Sequence, residues 1–336
     1  MRVIVLGAGL LGVTSAYYLL QQGHEVTVID RQATTAAETS FANGGQISVC
    51  HAEPWANPGA PLQMLRWLGR EDAPLLFRLR ADRHQWLWGL QFLRECTPAR
   101  ARRNLEQLLR LGTYSRGLLQ ILRAATGIEY AQRTQGILHF YTSHATFDSA
   151  QTTTARMREL GCERRVLTVN EAVQIEPALR SSRAQLVGAT YTAQDESGDA
   201  HRFTVALAEL CRNQGARFSM NHRVTALRVM GGDLDHVEVT DANGGFARLR
   251  ADAYVLALGS FSPLLAPPLG FRLPTYPAKR HSVTLTSADE PTRGNHESIR
   301  NNETTVERCI VLRRIQSAHG RAGRIRHRPD AHLSQL

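Results

Sequence analysis

The sequence predicts an α/β protein that combines a parallel sheet, flanked by helices, with a second, intergrown α+β domain. An apolar, β-branched run at 3–6 leads through a glycine-rich corner into a segment whose apolar residues recur at helical spacing. A second short strand ends at Asp30, and a later helix-and-strand stretch at 188–262 supplies further strands. Parallel strands need helical crossovers of this kind, so this order of elements is typical of a Rossmann-like fold.

The chain is long enough for two domains with buried cores. It has 336 residues, of which 43% are hydrophobic, an ordinary fraction for a globular protein. We expect five segments along it. They are a nucleotide-binding strand–helix–strand unit at 1–50, a second domain, helical and then β, at 51–187, a return to the nucleotide-binding domain at 188–262, the start of a further segment of the second domain at 263–292, and a divergent, disordered basic tail at 293–336.

The net charge of +10 does not by itself indicate nucleic-acid binding. Lys279 is the only lysine among the 40 basic residues, a bias that we ascribe to coding-sequence composition. The tail from residue 293 holds nine arginines against four acidic residues, but it has no Phe, Trp or Tyr to stack on bases. We therefore expect no nucleic-acid partner.

The cysteines and the uncharged N-terminal run give no sign of a metal site or a leader. The five cysteines are Cys50, Cys96, Cys162, Cys211 and Cys309. None is spaced to form a zinc-type pair, so we expect free thiols, as in the cytoplasm, and no metal. The uncharged run at 3–20 contains three regularly placed glycines and has no cleavage signal after it, which favours a buried strand and helix over a signal peptide or membrane span.

The corner at Gly7, Gly9 and Gly12 has the residue types that a nucleotide pyrophosphate requires. Gly7 permits a tight turn, Gly9 lets the backbone approach the phosphates, and Gly12 allows close packing of helix on sheet. The helix start offers free N–H groups, and Asp30 can accept hydrogen bonds from ribose hydroxyls. The candidate binding residues here are Val3, Ile4, Val5, Leu6, Gly7, Ala8, Gly9, Leu10, Leu11, Gly12, Val13, Thr14, Ser15, Ala16, Tyr17 and Asp30. Such a unit binds NAD or FAD, and the corner alone leaves both open.

A second segment, residues 39–48, favours a flavin. It is rich in glycine and small polar residues, and composition alone would make it a surface loop. A flavin, however, needs backbone N–H groups and small polar side chains along its length, which this loop supplies. The candidate binding residues in the loop are Ser40, Asn43, Gly45 and Gln46.

Several spaced segments together carry a resemblance to a known family. They are the loop Thr39–Ser48, the proline-rich Ala56–Leu62, Glu176–Leu179, Asp195–Asp199 and the strand-to-glycine segment Tyr254–Ser260. With the N-terminal unit they resemble the small chain of the bacterial D-amino acid dehydrogenases, which are amine-oxidising flavoproteins related to D-amino acid oxidase. The resemblance extends from residue 1 to about residue 285.

The resemblance implies FAD as cofactor and oxidative deamination of D-amino acids, such as D-alanine, to 2-oxo acids and ammonia. Electrons would pass to an acceptor, for which a membrane quinone is one candidate. The resemblance also implies that Val224 places its backbone against the adenine, that Gly259 admits backbone near the pyrophosphate, and that Arg31 adjoins the cofactor. The protein would be cytoplasmic, either free or peripheral on the inner membrane. A glycine- or sarcosine-type oxidase and a non-catalytic flavin-binding fragment remain alternatives.

The middle of the chain predicts helices over 54–125 and strands at 128–130 and 137–141. The helical part contains all four tryptophans among many arginines, a composition that suits a membrane-surface face or ordinary core packing with a solvated arginine face. His139 and Tyr141 would lie on a strand near the substrate, but the pattern does not distinguish them from ordinary strand residues. No catalytic residue is assigned.

The C-terminal part departs from the family pattern. Arg280 and His281 stand where the family has glycine and tyrosine, and the match fades after Leu285. By resemblance, the arginine that would bind the substrate carboxylate belongs to a later region that this sequence does not match. We hypothesise a frameshift or premature stop, which could leave the chain inactive; a genuine basic interaction tail is the rival hypothesis.

Overall fold

The computed structural model describes residues 1–41, 43–69 and 81–276, with three strand segments at 283–285, 297–299 and 308–309. The strands are β1 Arg2–Leu6, β2 Glu25–Ile29, β3 Gln46–Ile47, β4 Ile137–Tyr141, β5 Arg164–Leu167, β6 Gly188–Thr192, β7 Glu196–Ser197, β8 Arg217–Ser219, β9 His222–Met230, β10 Asp233–Asp241, β11 Phe246–Leu249, β12 Ala253–Leu256, β13 Val283–Leu285, β14 Glu297–Ile299 and β15 Arg308–Cys309. The helices are α1 Leu10–Gln21, α2 Ala60–Trp67, α3 Arg83–Glu95, α4 Pro98–Thr126, α5 His144–Glu159, α6 Val169–Ile175, α7 Ala200–Asn213 and α8 Ser262–Leu265.

The N-terminal strand β1 is central in a four-stranded parallel sheet with the order β12-β1-β2-β8. Val3 lies beside Ala253 on one neighbour and Val26 on the other. The last four residues of β1 are all buried, as expected for a strand covered on both faces. The predicted α/β class, with a Rossmann-like parallel sheet, is confirmed.

Helices and a β-meander cover the two faces of the parallel sheet. On one face, Val5 and Val28 pack with Ala16 of α1 and Cys211 of α7. On the other face, residues of β1 and β2 pack against the antiparallel meander of β9, β10 and β11. The parallel sheet is thus the middle of three layers, and its strand ends remain available for a site.

A second sheet is antiparallel, and its strands β4, β5 and β6 lie between β2 and β8 of the first sheet in sequence. Its order is β15-β4-β6-β5. One face carries Leu138, Phe140 and Ala189, which pack with α6 and the turn that follows it. Residues of the opposite face, which include His139 and Arg164, are polar and buried. Because β6 belongs here, the second sheet continues past residue 188, where we expected the chain to return to the first domain.

The local structure differs from the predicted elements at two further places. Residues 128–130 are not a strand, because the described backbone there pairs with no neighbouring strand. The N-cap of α6 is Thr168, whose hydroxyl accepts the amide of Glu171 while the Glu171 carboxylate accepts the amide of Thr168. Strand β5, with two arginines in four residues, was not predicted. Arg280, His281 and most of the tail lie outside the described residues.

The predicted helical segment after residue 54 forms α2, α3 and α4. Leu105, Leu109 and Leu122 are buried at helical spacing along α4, which confirms the expected pattern. Within the part of the chain that the structure describes, no helix combines the length and apolar character needed to cross a bilayer.

Candidate dinucleotide site

The carboxyl ends of β1, β2 and β12 meet at one corner of the parallel sheet. Directly after β1, the amide of Gly7 donates to the carbonyl oxygen of Ile29 at 2.8 Å. Directly after β12, the amide of Ala257 donates to the carbonyl oxygen of Leu6 at 2.9 Å. In parallel α/β sheets, ligands bind outside these strand ends, so the backbone geometry makes this corner a candidate site.

Glycine is required at two corner positions by close approach of backbone. Gly7 has φ +111°, and a Cβ there would overlap the carbonyl oxygen of Ala257. A Cβ on Gly12 would overlap the carbonyl oxygen of Gly7. Gly9 differs, because a Cβ there would meet only the Ser40 hydroxyl, at 3.4 Å. The space beside Gly9 is therefore kept free of protein backbone, as a pyrophosphate requires.

The start of α1 presents backbone N–H groups at this corner. The first amide bonded within the helix turn is that of Val13, which donates to Gly9 at 2.9 Å. The amide of Leu10 donates to the Ser40 hydroxyl at 2.9 Å. The amides of Leu11 and Gly12 precede the first helical hydrogen bond, and the N-cap residue, Gly9, makes no side-chain capping bond. This arrangement fits an anionic group at the helix N-terminus.

Asp30 lies directly after β2 and reaches back to the corner. One carboxylate oxygen accepts the amide of Ala8 at 2.7 Å and the other accepts the amide of Gln32 at 2.8 Å. The Asp30 carbonyl accepts the amide of His222 at 2.8 Å, which brings the start of β9, and Val224 with it, to the end of β2. The carboxylate keeps lone pairs for a ribose hydroxyl while it holds the glycine turn in place.

The other predicted residues of α1 support the corner more than they line it. Val13 and Ala16 are fully buried in the core. The hydroxyls of Thr14 and Ser15 donate to carbonyl oxygens one turn earlier in the same helix. Leu11 is largely exposed. The structure therefore brings the backbone of this helix to the site while most of its side chains face elsewhere.

The second cofactor segment is held in a defined conformation by the turn at 195–199. Asn43 accepts the amide of Gly45 at 2.9 Å, and β3 pairs with β7 through Gln46 and Ser197. Gly45 has φ +60°, and a Cβ there would overlap the carbonyl oxygen of Gly198. Only glycine satisfies both restrictions.

Arg31 and Gly259 lie at the edge of the same corner. The Arg31 guanidinium donates to Glu38 at 2.7 and 2.5 Å and sits over the ring of Phe261, 4.0 Å from its centroid. Gly259 has φ +54°, with open space around the position of a Cβ. Arg31 is therefore fixed by protein partners, whereas Gly259 leaves room beside the end of β12.

A buried polar cluster adjoins the second segment and was not predicted as functional. It consists of Cys50, His139, Arg164 and Asp195. Burial, with smaller contributions from Arg164 and His51, lowers the pKa of His139 to about 3. Burial, reinforced by Asp195, raises the pKa of the Cys50 thiol. Both groups are thus neutral at physiological pH. In the described parts of the chain, no group of three or more His, Cys, Asp or Glu side chains is arranged to hold a metal ion.

The fold and this corner define a dinucleotide-binding α/β protein with a second, antiparallel sheet. The profile of the family "FAD dependent oxidoreductase" matches residues 2–327. The chain belongs to this family of FAD-dependent oxidoreductases, whose cofactor is FAD. The glycine corner, the free helix start and Asp30 fit the pyrophosphate and ribose of that cofactor.

Two curated relatives are D-amino acid dehydrogenases. The chain is 53% identical over 289 residues to that of Dechloromonas aromatica, covering 86% of this chain and 69% of the relative. It is 50% identical over 286 residues to that of Paramagnetospirillum magneticum, covering 85% of this chain and 67% of the relative. The predicted resemblance to D-amino acid dehydrogenases is therefore confirmed.

Solved structures share the fold at low sequence identity. Glycine oxidase from Geobacillus kaustophilus is 21% identical with a TM-score of 0.56, over 81% of this chain and 59% of that structure. L-Proline dehydrogenase from P. horikoshii is 18% identical with a TM-score of 0.53, over 80% of this chain and 56% of that structure. The chain thus spans little more than half the length of these structures.

Proposed function

We propose that this chain is a D-amino acid dehydrogenase that deaminates D-amino acids to 2-oxo acids and ammonia and passes the electrons to an acceptor. The observation that carries the proposal is the glycine corner with its free helix start and Asp30, in a chain about half identical to two D-amino acid dehydrogenases. Bound FAD would supply the acceptor for the hydride of the substrate Cα. The chain's own contribution is to bind and orient the cofactor.

The residues proposed to hold FAD fall into two groups. Backbone from Gly7 to Gly12 and the Asp30 carboxylate would bind the pyrophosphate and ribose, because they combine N–H donors, absent Cβ atoms and a hydroxyl acceptor. Ser40, already hydrogen-bonded to the helix start, and the 43–46 segment would bind further along the cofactor. Val224, Arg31 and Gly259 complete the proposed set at its edges. The segments 1–50 and 195–262 would form the cofactor domain.

A membrane quinone is the proposed electron acceptor, reached from a peripheral position on the membrane. Support comes from the exposed apolar side chains of α2 and α3 and the segment before them. They are Trp55, Leu62, Leu65, Leu68, Trp86, Leu87, Leu90 and Leu93. Arg66, Arg83 and Arg94 lie on the same helices, and Arg side chains with Trp suit an anionic lipid surface.

A flavin spectrum with and without substrate tests the proposed activity. Purified protein should show flavin absorbance, and anaerobic D-alanine should bleach it, whereas L-alanine should not. Bleaching by sarcosine but not by D-alanine would instead favour a glycine- or sarcosine-type oxidase. Colour without bleaching by any amine would leave a flavin-binding protein without this activity.

Co-sedimentation with vesicles tests the membrane position. Binding to vesicles that contain anionic phosphatidylglycerol should exceed binding to pure phosphatidylcholine and should fall with salt. Replacement of Leu65 and Leu90 by Asp should abolish it. Equal recovery of wild type and variant with the vesicles would count against the proposed surface.

A further inference from the structure

Asp195 is a fully buried carboxylate that accepts four hydrogen bonds. One oxygen accepts the amide of Val49 at 3.0 Å and a guanidinium nitrogen of Arg116 at 2.9 Å. The other accepts the amide of Cys50 at 3.1 Å and the hydroxyl of Ser48 at 3.1 Å. Every donor except Arg116 belongs to the three consecutive residues 48–50, which begin with the last residue of the second segment.

The carboxylate supplies a cap that the local sequence lacks. Residues 49–51 form a single 3-10 turn, and Ser48 at its N-cap position makes no side-chain capping bond. Its first amides would be left unpaired in the interior, at a cost comparable to a lost hydrogen bond each. Asp195 pairs two of them from 145 residues away in sequence, and so it fixes the turn relative to β7.

The negative charge is balanced from both sides of the turn. Arg116 on α4 pairs with Asp195 directly. Beyond the turn, the carbonyl oxygen of Cys50 accepts a guanidinium nitrogen of buried Arg164 at 3.3 Å. The Cys50 backbone therefore lies between a buried anion and a buried cation, with its N–H toward the anion and its C=O toward the cation. This polarity favours one orientation of the segment over all others.

The neighbouring residue Glu196 provides a natural comparison. It is also a buried carboxylate in β7 and also pairs with an arginine of α4, Arg123, at 2.6 Å. Its second side-chain partner is Gln120, at 2.6 Å, on the same helix. The side-chain hydrogen bonds of Glu196 thus tie β7 to α4, whereas those of Asp195 also reach residues 48–50.

We propose that Asp195 is a positioning residue for FAD, which acts by holding residues 45–50 in the conformation that receives the cofactor. The inference rests on the proposed function only in assigning this segment to the cofactor. Asp195 does not itself line the glycine corner. Its effect passes through the backbone of residues 48–50 to the adjoining strand β3, which itself pairs with β7.

Asp195→Asn and Glu196→Gln are the matched variants for the test. Each replaces a buried carboxylate by the amide of nearly the same shape. Asn at 195 keeps one acceptor but turns an NH2 group toward the two donors of the other position, so one of the two turn amides loses its acceptor. FAD affinity, measured by quenching of flavin fluorescence on titration, should fall at least tenfold for Asp195→Asn. It should stay within about twofold of wild type for Glu196→Gln, although both variants lose thermal stability.

Amide hydrogen exchange provides the readout that general destabilisation would not give. Exchange over residues 46–52 should accelerate in Asp195→Asn relative to residues 120–126, and it should not do so in Glu196→Gln. Ser48→Ala removes the hydroxyl that donates to Asp195 and should give a smaller loss of FAD affinity. This variant replaces Asp195→Asn in the test if Asp195→Asn does not fold.

Two results would overturn the proposal: FAD affinity of Asp195→Asn and Ser48→Ala equal to wild type, or an equal loss of affinity in Glu196→Gln. Because the test reads FAD binding, it is separate from turnover. Wild-type protein that binds FAD but is not bleached by D-alanine would contradict the proposed function and leave the role of Asp195 intact.

Discussion

Alanine substitution of two helical glycines, Gly12 and Gly117, should change stability in opposite directions. Gly117 lies in the middle of α4, and a Cβ there would meet open space. Alanine is preferred to glycine within a helix by about 1 kcal/mol, mainly through the entropy of the unfolded chain. We therefore expect Gly117→Ala to raise the free energy of unfolding by about 0.5–1 kcal/mol.

At Gly12 the same change has a steric cost that exceeds this gain. The added Cβ would overlap the carbonyl oxygen of Gly7, a backbone atom that no rotamer change can move away. The overlap would push α1 away from the turn at Gly7. Such a displacement resembles overpacking of a core, which lowers the free energy of unfolding by about 1–3 kcal/mol. The turn that must shift is the one proposed to bind the pyrophosphate. A loss of about 1.4 kcal/mol in binding corresponds to a tenfold weaker affinity, so FAD affinity should fall by at least that factor.

Two measurements decide between these expectations. Urea unfolding of the FAD-free protein, followed by far-ultraviolet circular dichroism, gives the free energies of unfolding. Flavin fluorescence titration gives the affinities. The reasoning would be refuted by a Gly12→Ala protein with wild-type stability and wild-type FAD affinity, or by a Gly117→Ala protein less stable than wild type.

Further changes probe the second segment, the buried histidine and the acidic strand end. Gly45→Ala should weaken FAD binding at least tenfold because its Cβ would overlap Gly198, whereas Gly127→Ala, also at positive φ but in open space, should cost only about 1 kcal/mol of stability and no affinity. Because the pKa of His139 is about 3 when folded and 6.5 when unfolded, the unfolded chain binds more protons between these values and stability falls as pH falls. His139→Gln should remove about 2 kcal/mol of the decline between pH 7 and pH 5 in urea titrations, and an unchanged pH profile would contradict the shift. Asp30→Asn should weaken FAD binding about fivefold in the same fluorescence titration, by loss of a charged acceptor, and wild-type affinity would argue against its ribose role.

The glycine corner could be predicted because its requirements are local in sequence. Gly7, Gly9 and Gly12 lie between two apolar strands, and each restriction follows from the turn they form. Asp30 follows the second of these strands, so its place at the corner was implied by the same pattern. The capping of α6 by Thr168 was predictable for the same reason, because the cap and its partner Glu171 are three residues apart.

What the sequence pattern missed depends on contacts between distant segments. Strand β5 carries Arg164 and Arg165, and only its pairing with β6 makes it a strand. The predicted strand at 128–130 has suitable residues but no partner along its edge. Asp195 was noted only as part of a family motif, because the amides it binds lie about 145 residues earlier in the chain. Whether a charged side chain is buried beside backbone amides that need an acceptor depends on the whole fold.

The parallel sheet joins strands that are far apart in the sequence. Strand β1 pairs on one side with β2, made soon after it, and on the other side with β12, more than 240 residues later. At a synthesis rate of roughly 5–20 residues per second, β12 leaves the ribosome tens of seconds after β1. Through that interval one edge of β1 has no permanent partner, which makes this strand the place where chaperone contact or mispairing in the nascent protein should concentrate.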